Sequence, residues 1–96
     1  DEYQKAVQND PANADILNNM ANVLVRAGRV SEAVTAYTRA VELNPRYVSA
    51  HVNLGVIKAA AGLRDEAAGH FSRVLEIEPN NTAAKDGLAK LNAAQN

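Results

Sequence analysis

The sequence predicts an all-α solenoid, in which similar helical units stack along the chain, and three observations support this fold class. First, landmark residues recur at an interval of 34 residues. They are Pro11, Pro45 and Pro79; Tyr3, Tyr37 and Phe71; Gly28 and Gly62; and Ala33 and Ala67. Second, apolar residues between these landmarks follow the three- and four-residue spacing of a helix. Third, glycine or proline separates the segments, so each short unit needs its neighbours to bury its apolar face.

The first segment, residues 1–13, is predicted to be the second helix of a truncated unit. Tyr3 and Val7 lie on one helical face, and Asp10 followed by Pro11 ends the helix. The chain begins without methionine and part-way through a unit. We therefore interpret it as a piece of a longer protein.

Residues 14–47 are predicted to form a complete unit of two helices. Four apolar residues share one side of the first helix, and they are Leu17, Met20, Ala21 and Leu24. Gly28 suits the left-handed conformation that ends a helix, and Asn13 suits the N-cap that begins one. The second helix begins near Val30 and stops before Pro45, because proline disfavours helical geometry in the residue before it.

Residues 48–81 are predicted to form a second unit with the same plan. One helix runs from about Val48 to Ala61 and another from about Arg64 to Ile77, with Gly62 turning the chain between them. Residues 82–96 are predicted to form one closing helix. The polarity of that helix suits a cap that shields the last interface from water.

Small and large residues alternate where the predicted helices must approach each other closely. The small residues are Ala21, Gly55 and Ala89 in first helices, and Ala33 and Ala67 in second helices. Tyr37 and Phe71 are the large residues that fill the space left by the small ones. We therefore predict that both aromatic side chains belong to the core and not to a ligand site.

Composition argues against several classes of function. Ten basic and eleven acidic residues leave a net charge of −1, which argues against nucleic acid or an anionic membrane as the partner. The chain has no cysteine, so it can form neither disulfides nor thiolate metal sites. No apolar run approaches the roughly 20 residues of a membrane span. These observations do not define the compartment.

Nothing in the sequence predicts an enzyme, a metal site or a cofactor. His51 and His70 lie on different predicted helices, and a zinc site needs three or four ligands. Gly62 and Gly69 stand without the lysine and hydroxyl residue of a phosphate-binding loop. We expect one histidine at a helix interface, the other at the surface, and no catalytic residue.

The pattern within the units resembles the tetratricopeptide repeat family, whose motif is W-x2-L-G-x2-Y, then A-x3-F, then P. The matching positions are Leu17, Met20, Ala21, Leu24, Ala33, Tyr37, Ala40 and Pro45 in the first unit, and His51, Leu54, Gly55, Lys58, Ala67, Phe71, Val74 and Pro79 in the second. The departures are His51 in place of tryptophan and Lys58 in place of tyrosine. The resemblance implies antiparallel helix pairs in a right-handed superhelix of about six helices, whose first helices line a concave groove for a peptide.

The resemblance also assigns residues to that groove. They are Asp15, Asn18, Asn19, Asn22, Val25 and Arg26 in the first unit, and Ser49, Val52, Asn53, Val56, Ala59 and Ala60 in the second. An asparagine side chain both donates and accepts hydrogen bonds, so it can hold a peptide backbone without reading its side chains. Two interpretations stay open: an asparagine ladder that binds peptide, or asparagines that are solvated or bond neighbouring helix ends.

A second binding mode implied by the resemblance is a clamp for the acidic C-terminal tails of chaperones. Asn22 and Asn53 match its asparagine positions. Asn18, Ala83 and Gly87 stand where the clamp has basic side chains, and Arg26 alone cannot replace them. We therefore expect no acidic tail. Val25, Val52, Val56 and the alanines beside them favour an uncharged peptide with small apolar side chains.

The predicted function is that of a non-catalytic scaffold or adaptor that binds a partner peptide, with no metal or cofactor. The alternative is a structural role in which the ends of the array contact another copy. The unpaired first helix would leave Tyr3 and Val7 without their usual partner, so a homo-oligomer could form there.

Overall fold

A computed structural model describes residues 13–94, and five α-helices with no strand make up the secondary structure of this range. They are α1 (Asn13–Arg26), α2 (Val30–Leu43), α3 (Val48–Ala60), α4 (Arg64–Ile77) and α5 (Thr82–Ala94). The all-α prediction is confirmed, and each predicted helix in this range begins and ends within two residues of its expected position. The helix predicted over residues 1–13, with Tyr3 and Val7, lies outside the described residues except for Asn13.

Glycine ends α1 and α3 as predicted. Gly28 and Gly62 both have φ of 80°, a conformation that only glycine adopts without strain. After α1, the Gly28 N–H donates to Val25 O at 3.0 Å and the Arg29 N–H donates to Leu24 O at 2.8 Å. This pair of bonds is the Schellman arrangement, which satisfies carbonyl groups left over at a helix end. The turn at Gly62 repeats the same pattern of bonds.

Pro45 and Pro79 end α2 and α4, because the residue before each proline leaves the helical conformation. Asn44 has φ −137° and ψ 92°, and Glu78 has φ −131° and ψ 88°, both outside the helical region. The helix that follows the second of these stops is capped, because the Ala84 N–H donates to Asn81 Oδ1 at 2.9 Å. The capping role predicted for Asn13 concerns a side chain that the structure does not describe.

The described chain divides into two compact units, with the boundary between Ala50 and His51. The first unit holds α1, α2 and the first residues of α3, and the second holds the rest of α3, α4 and α5. The prediction that residues 1–96 form a single array concerns how such units combine, and it stays a prediction.

The core of the first unit lies between α1 and α2, which pack against each other on either side of the turn at Gly28. Its buried side chains are Ala14, Leu17, Asn18, Ala21, Ala33, Ala36, Tyr37 and Ala40. Six of these eight are alanine or leucine, so the helices can approach closely, and Tyr37 is the one large ring among them. The predicted core position of Tyr37 is confirmed.

In the second unit, α3 and α4 run antiparallel, as two long-range contacts show. His51 near the start of α3 contacts His70, and Lys58 near its end lies 3.3 Å from Glu66 Oε1. As the residue number increases along α3, the number of the contacting residue on α4 decreases, which is the order expected for antiparallel helices. The Lys58 amine bridges the two helices, so this departure from the family motif is accommodated by an ion pair.

Phe71 on α4 is the centre of the second unit and is 1% exposed. A β-carbon added at Gly55 on α3 would lie 2.6 Å from Phe71 Cε1, and one added at Gly87 on α5 would lie 2.5 Å from Phe71 Cζ. These distances are shorter than carbon atoms tolerate, so the ring fills the space that the two glycines leave. The predicted pairing of small Gly55 with large Phe71 is confirmed.

Candidate functional site

The second unit has a pocket of about 570 Å³ between α3 and α5, which we call the α3–α5 pocket. Its lining consists of Val56, Ala59, Gly62, Arg64, Phe71, Ala83, Asp86, Gly87, Lys90 and Leu91. Most of these side chains are apolar, and the charged ones come from the start of α4 and from α5. A largely apolar concave site with a few polar groups is typical of a binding site.

Small residues of α5 shape the side of the pocket that faces Phe71. Gly87 lets the Phe71 ring lie directly against α5, and Ala83, one helical turn earlier, adds only a methyl group to the pocket wall. Val56 on the opposite wall is 56% exposed. The walls are therefore open to a ligand, and the buried Phe71 ring closes the inner end.

Sequence reasoning placed Val56 and Ala59 in a binding groove and missed the α5 side of the pocket. It placed Ala83 and Gly87 at clamp positions that lack the expected basic side chains, and otherwise treated residues 82–96 as a polar closing helix. The signal was nevertheless present, because Asp86, Gly87 and Lys90 follow Val52, Asn53 and Val56 by the same 34 residues. Extending the repeat register to α5 would have identified the missing wall.

Other predicted site residues of the second unit occupy positions outside the pocket lining. Val52 and Asn53 are half-buried on α3, and Ala60 is exposed at its end. Asn53 makes interactions within the structure. The binding roles of these residues stay predictions.

The predicted site residues before the boundary at Ala50 differ in their burial. Six are on α1, of which Asp15, Asn19, Val25 and Arg26 are exposed, Asn22 is half-buried and Asn18 is 4% exposed. Ser49 at the start of α3, predicted as part of the second repeat, is also exposed. The side chain of Asn19 makes no hydrogen bond within the described residues, so its amide is available to a ligand.

Asn18 and Asp15 hold Tyr47, the residue that precedes α3. The Tyr47 hydroxyl donates to Asp15 Oδ1 at 2.5 Å. Burial, followed by this hydrogen bond and the charge of Asp15, raises the pKa of Tyr47 to about 12, and a hydrogen bond from Asn18 opposes the rise. The Oδ1 atom of Asn18 has no hydrogen-bond partner among the described residues. Asn18 is therefore a buried residue that helps to hold Tyr47 in place. The sequence analysis did not predict this role of Tyr47.

Asn22 is held by the core aromatic residue of the first unit. The Tyr37 hydroxyl donates to Asn22 Oδ1, and burial raises the pKa of Tyr37. The equivalent residues one period later are Phe71 and Val56, which have neither hydroxyl nor amide. These equivalent positions therefore hold a polar pair in the first unit and two apolar residues in the second.

The two histidines meet at the interface of α3 and α4. Their Nδ1 atoms lie 3.3 Å apart, and their ring centroids lie 5.5 Å apart. His51 is 8% exposed and His70 is half-buried, so the expectation of one surface histidine was wrong. The described residues contain no group of three histidine, aspartate or glutamate side chains arranged to hold a metal ion.

Burial lowers the pKa of His70, and the nearby His51 and Lys58 add to this effect while Glu66 opposes it. A neutral His70 is therefore favoured in the folded chain.

None of the helices in the described range combines the length and apolar character needed to cross a membrane.

The chain is similar to known proteins in sequence pattern and in structure. A family model described as "Tetratricopeptide repeat" matches residues 18–82. No curated protein matches the chain.

Three solved structures show the structural similarity. The first TPR of Spaghetti (RPAP3) bound to the HSP90 peptide SRMEEVD is 33% identical, with a TM-score of 0.83, and the match covers 97% of this chain and 74% of that one. The second TPR domain of human RPAP3 in complex with the HSP70 peptide SGPTIEEVD is 30% identical, with a TM-score of 0.79 and coverage of 94% and 75%. The first TPR domain of human RPAP3 is 33% identical, with a TM-score of 0.81 and coverage of 97% and 73%.

Proposed function

The chain belongs to the tetratricopeptide repeat family, a family of protein-interaction modules, and we propose on this premise that it binds a peptide segment of a partner protein and catalyses no reaction. The observation that carries the proposal is the α3–α5 pocket, an open and largely apolar site of about 570 Å³. Two structural relatives, at 33% and 30% identity, are bound to chaperone peptides, which supports a peptide as the class of ligand.

The proposed contacts differ between the two units. In the first unit, Asn19 holds the backbone of the peptide, because its amide is exposed and makes no hydrogen bond within the described residues. Exposed Arg26 on the same helix disfavours basic side chains nearby. In the second unit, Asn53 contributes a backbone contact, and Val56 and Ala59 contact peptide side chains.

The chemistry of the site supports a ligand other than the acidic chaperone tails seen with the relatives. Asn18 is buried against Tyr47, and Ala83 and Gly87 carry no charge. These three positions are the ones where the family's carboxylate clamp has basic side chains. We therefore propose that recognition does not depend on a terminal carboxylate.

The test is capture of partners from a lysate of the source cells, followed by titration of a synthetic peptide from the captured partner. Asn19→Ala and Asn53→Ala, alone and together, are expected to weaken binding of that peptide. Asn92→Ala serves as the matched control, because Asn92 is an exposed asparagine of α5 outside the pocket lining. Unchanged affinity in the double variant, with circular dichroism showing a folded chain, would contradict the assigned asparagine contacts.

A further inference from the structure

The α3–α5 pocket is larger than the small apolar side chains expected from the sequence require. Its volume of about 570 Å³ falls in the range of sites that enclose a drug-sized group. Large side chains seated in such pockets supply most of the binding energy of many interfaces. The valines and alanines of α3 suggested small peptide side chains, but Val56 and Ala59 form only one wall of the pocket, and Ala83 on the α5 wall is also small.

The walls of the pocket favour an apolar group. Val56 and Ala59 lie on the α3 side, Ala83 and Leu91 lie on the α5 side, and Phe71 closes the inner end. Burying a large aliphatic or aromatic side chain here would also remove the exposed part of Val56 from water. The tyrosine and asparagine of the first unit are replaced here by Phe71 and Val56, so the floor offers no hydroxyl or amide for a polar side chain.

The charged residues of the pocket favour an acidic group beside the apolar one. Lys90 and Arg64 bring two positive charges to the lining, and Asp86 brings one negative charge. Lys90 forms no ion pair within the described range. An acidic residue of the ligand would therefore meet a lysine that is paired with no carboxylate among the described residues.

We propose that the α3–α5 pocket takes one large apolar side chain of the partner peptide, aromatic or long aliphatic, with an acidic residue of the same peptide against Lys90. The inference rests on the proposed peptide-binding function and specifies the ligand class for the second unit. The acidic group is a side chain within the peptide, so no free C-terminus is required.

The test uses a positional-scanning library of peptides with amidated C-termini and the purified 96-residue chain. Each pool fixes one residue at a central position and mixes its neighbours, and binding is followed by fluorescence anisotropy. Pools with tryptophan, phenylalanine or leucine are expected to bind about 10-fold tighter than the alanine pool, as burial of a large side chain implies. Pools that also fix glutamate beside that residue are expected to bind tighter still.

Two variants connect this preference to the pocket. Ala83→Leu fills the opening from an exposed helical position, so it should abolish the preference for large side chains while the chain stays folded. Ala93→Leu is the matched control, because Ala93 is exposed on the same helix outside the pocket. Lys90→Glu should reverse the preference from glutamate to lysine, whereas Lys85→Glu, also on α5 and outside the pocket, should leave it unchanged.

The outcomes separate this inference from the proposed function. Binding of the library without a preference for large side chains, or with a preference that Ala83→Leu does not change, overturns the inference and leaves peptide binding standing. The same holds if SRMEEVD or SGPTIEEVD with a free C-terminus binds tighter than every amidated pool. Failure of all peptides to bind a folded chain overturns both.

Discussion

At the residue scale, glycine has opposite roles at two positions of the second unit. Gly55 faces the Phe71 ring, and Gly69 on α4 has no atom within 4 Å of a β-carbon added to it. Glycine lowers helix stability by about 1 kcal/mol relative to alanine. Whether alanine would be more or less stable than glycine at each position therefore depends on two quantities: the gain in helix stability and the space available for a β-carbon.

We expect Gly55→Ala to destabilise the chain by about 1–3 kcal/mol, because a β-carbon 2.6 Å from a ring that Gly87 confines on its other side forces repacking. Gly69→Ala, the matched control, should stabilise the chain by about 0.5–1 kcal/mol. Urea denaturation of both variants measures the difference. Equal effects of the two substitutions would show that Phe71 is not confined as described.

The histidine pair gives the fold a dependence on pH. His70 has a pKa below its ordinary value of 6.5, caused first by burial and then by His51 and Lys58, with Glu66 opposing. The unfolded chain therefore takes up this proton at a higher pH than the folded chain does. In addition, a hydrogen bond between two Nδ1 atoms requires one of them to accept, and protonation of both rings removes the acceptor.

We expect this contribution to stability to be complete above about pH 6.5 and to be lost as the pH falls through the folded pKa of His70. Urea denaturation at pH 7.5 and at pH 5 measures the loss. His70→Gln should flatten the dependence on pH over this range. If the variant and the parent lose the same stability between the two pH values, the assignment to His70 is wrong.

At the element scale, α5 is part of the binding site as well as a closing helix. Ala84 and Leu91 are buried, Gly87 contacts Phe71, and Lys90 lines the pocket. The polar residues on the rest of the helix suit the predicted cap. A single helix therefore covers the core of the second unit and forms one wall of the pocket.

We expect removal of residues 82–96 to destabilise the chain by about 4–7 kcal/mol, because Leu91 and Ala84 no longer bury apolar surface and Phe71 becomes exposed. Peptide binding should be lost as well. Leu91→Ala is a milder variant, expected to destabilise the chain by about 2–4 kcal/mol. Thermal denaturation and the peptide titration measure both effects, and retained binding in the truncated chain would exclude α5 from the site.

At the scale of the whole molecule, the family and the fold class could be predicted from the sequence, whereas the site could be predicted only in part. The prediction of a tetratricopeptide fold is confirmed by the family model and by the structural neighbours. A ligand held by Asn19 and Asn53, which the resemblance implies, remains a prediction, whereas self-association through Tyr3 and Val7 was the alternative drawn from the unpaired first helix. No described contact supports self-association, because Tyr3 and Val7 lie outside the described residues.

The sequence by itself determined the features that depend on neighbours within a few positions. Helices follow from apolar residues three and four apart, Gly28 and Gly62 end helices because they adopt positive φ, and Pro45 and Pro79 restrict the residue before them. These effects act along a few residues of backbone. Each of these helix ends is therefore predictable without knowledge of the rest of the fold.

The tertiary structure alone decided which equivalent side chains are buried, paired or open. Asn18 and Asn19 are adjacent asparagines, yet one is buried with Tyr47 and the other is exposed. The meeting of His51 with His70, and the opening between α3 and α5, likewise depend on how helices distant in the chain pack. The physical reason is that burial and pairing depend on distances in space, whereas the repeat pattern specifies only each residue's position on its helix.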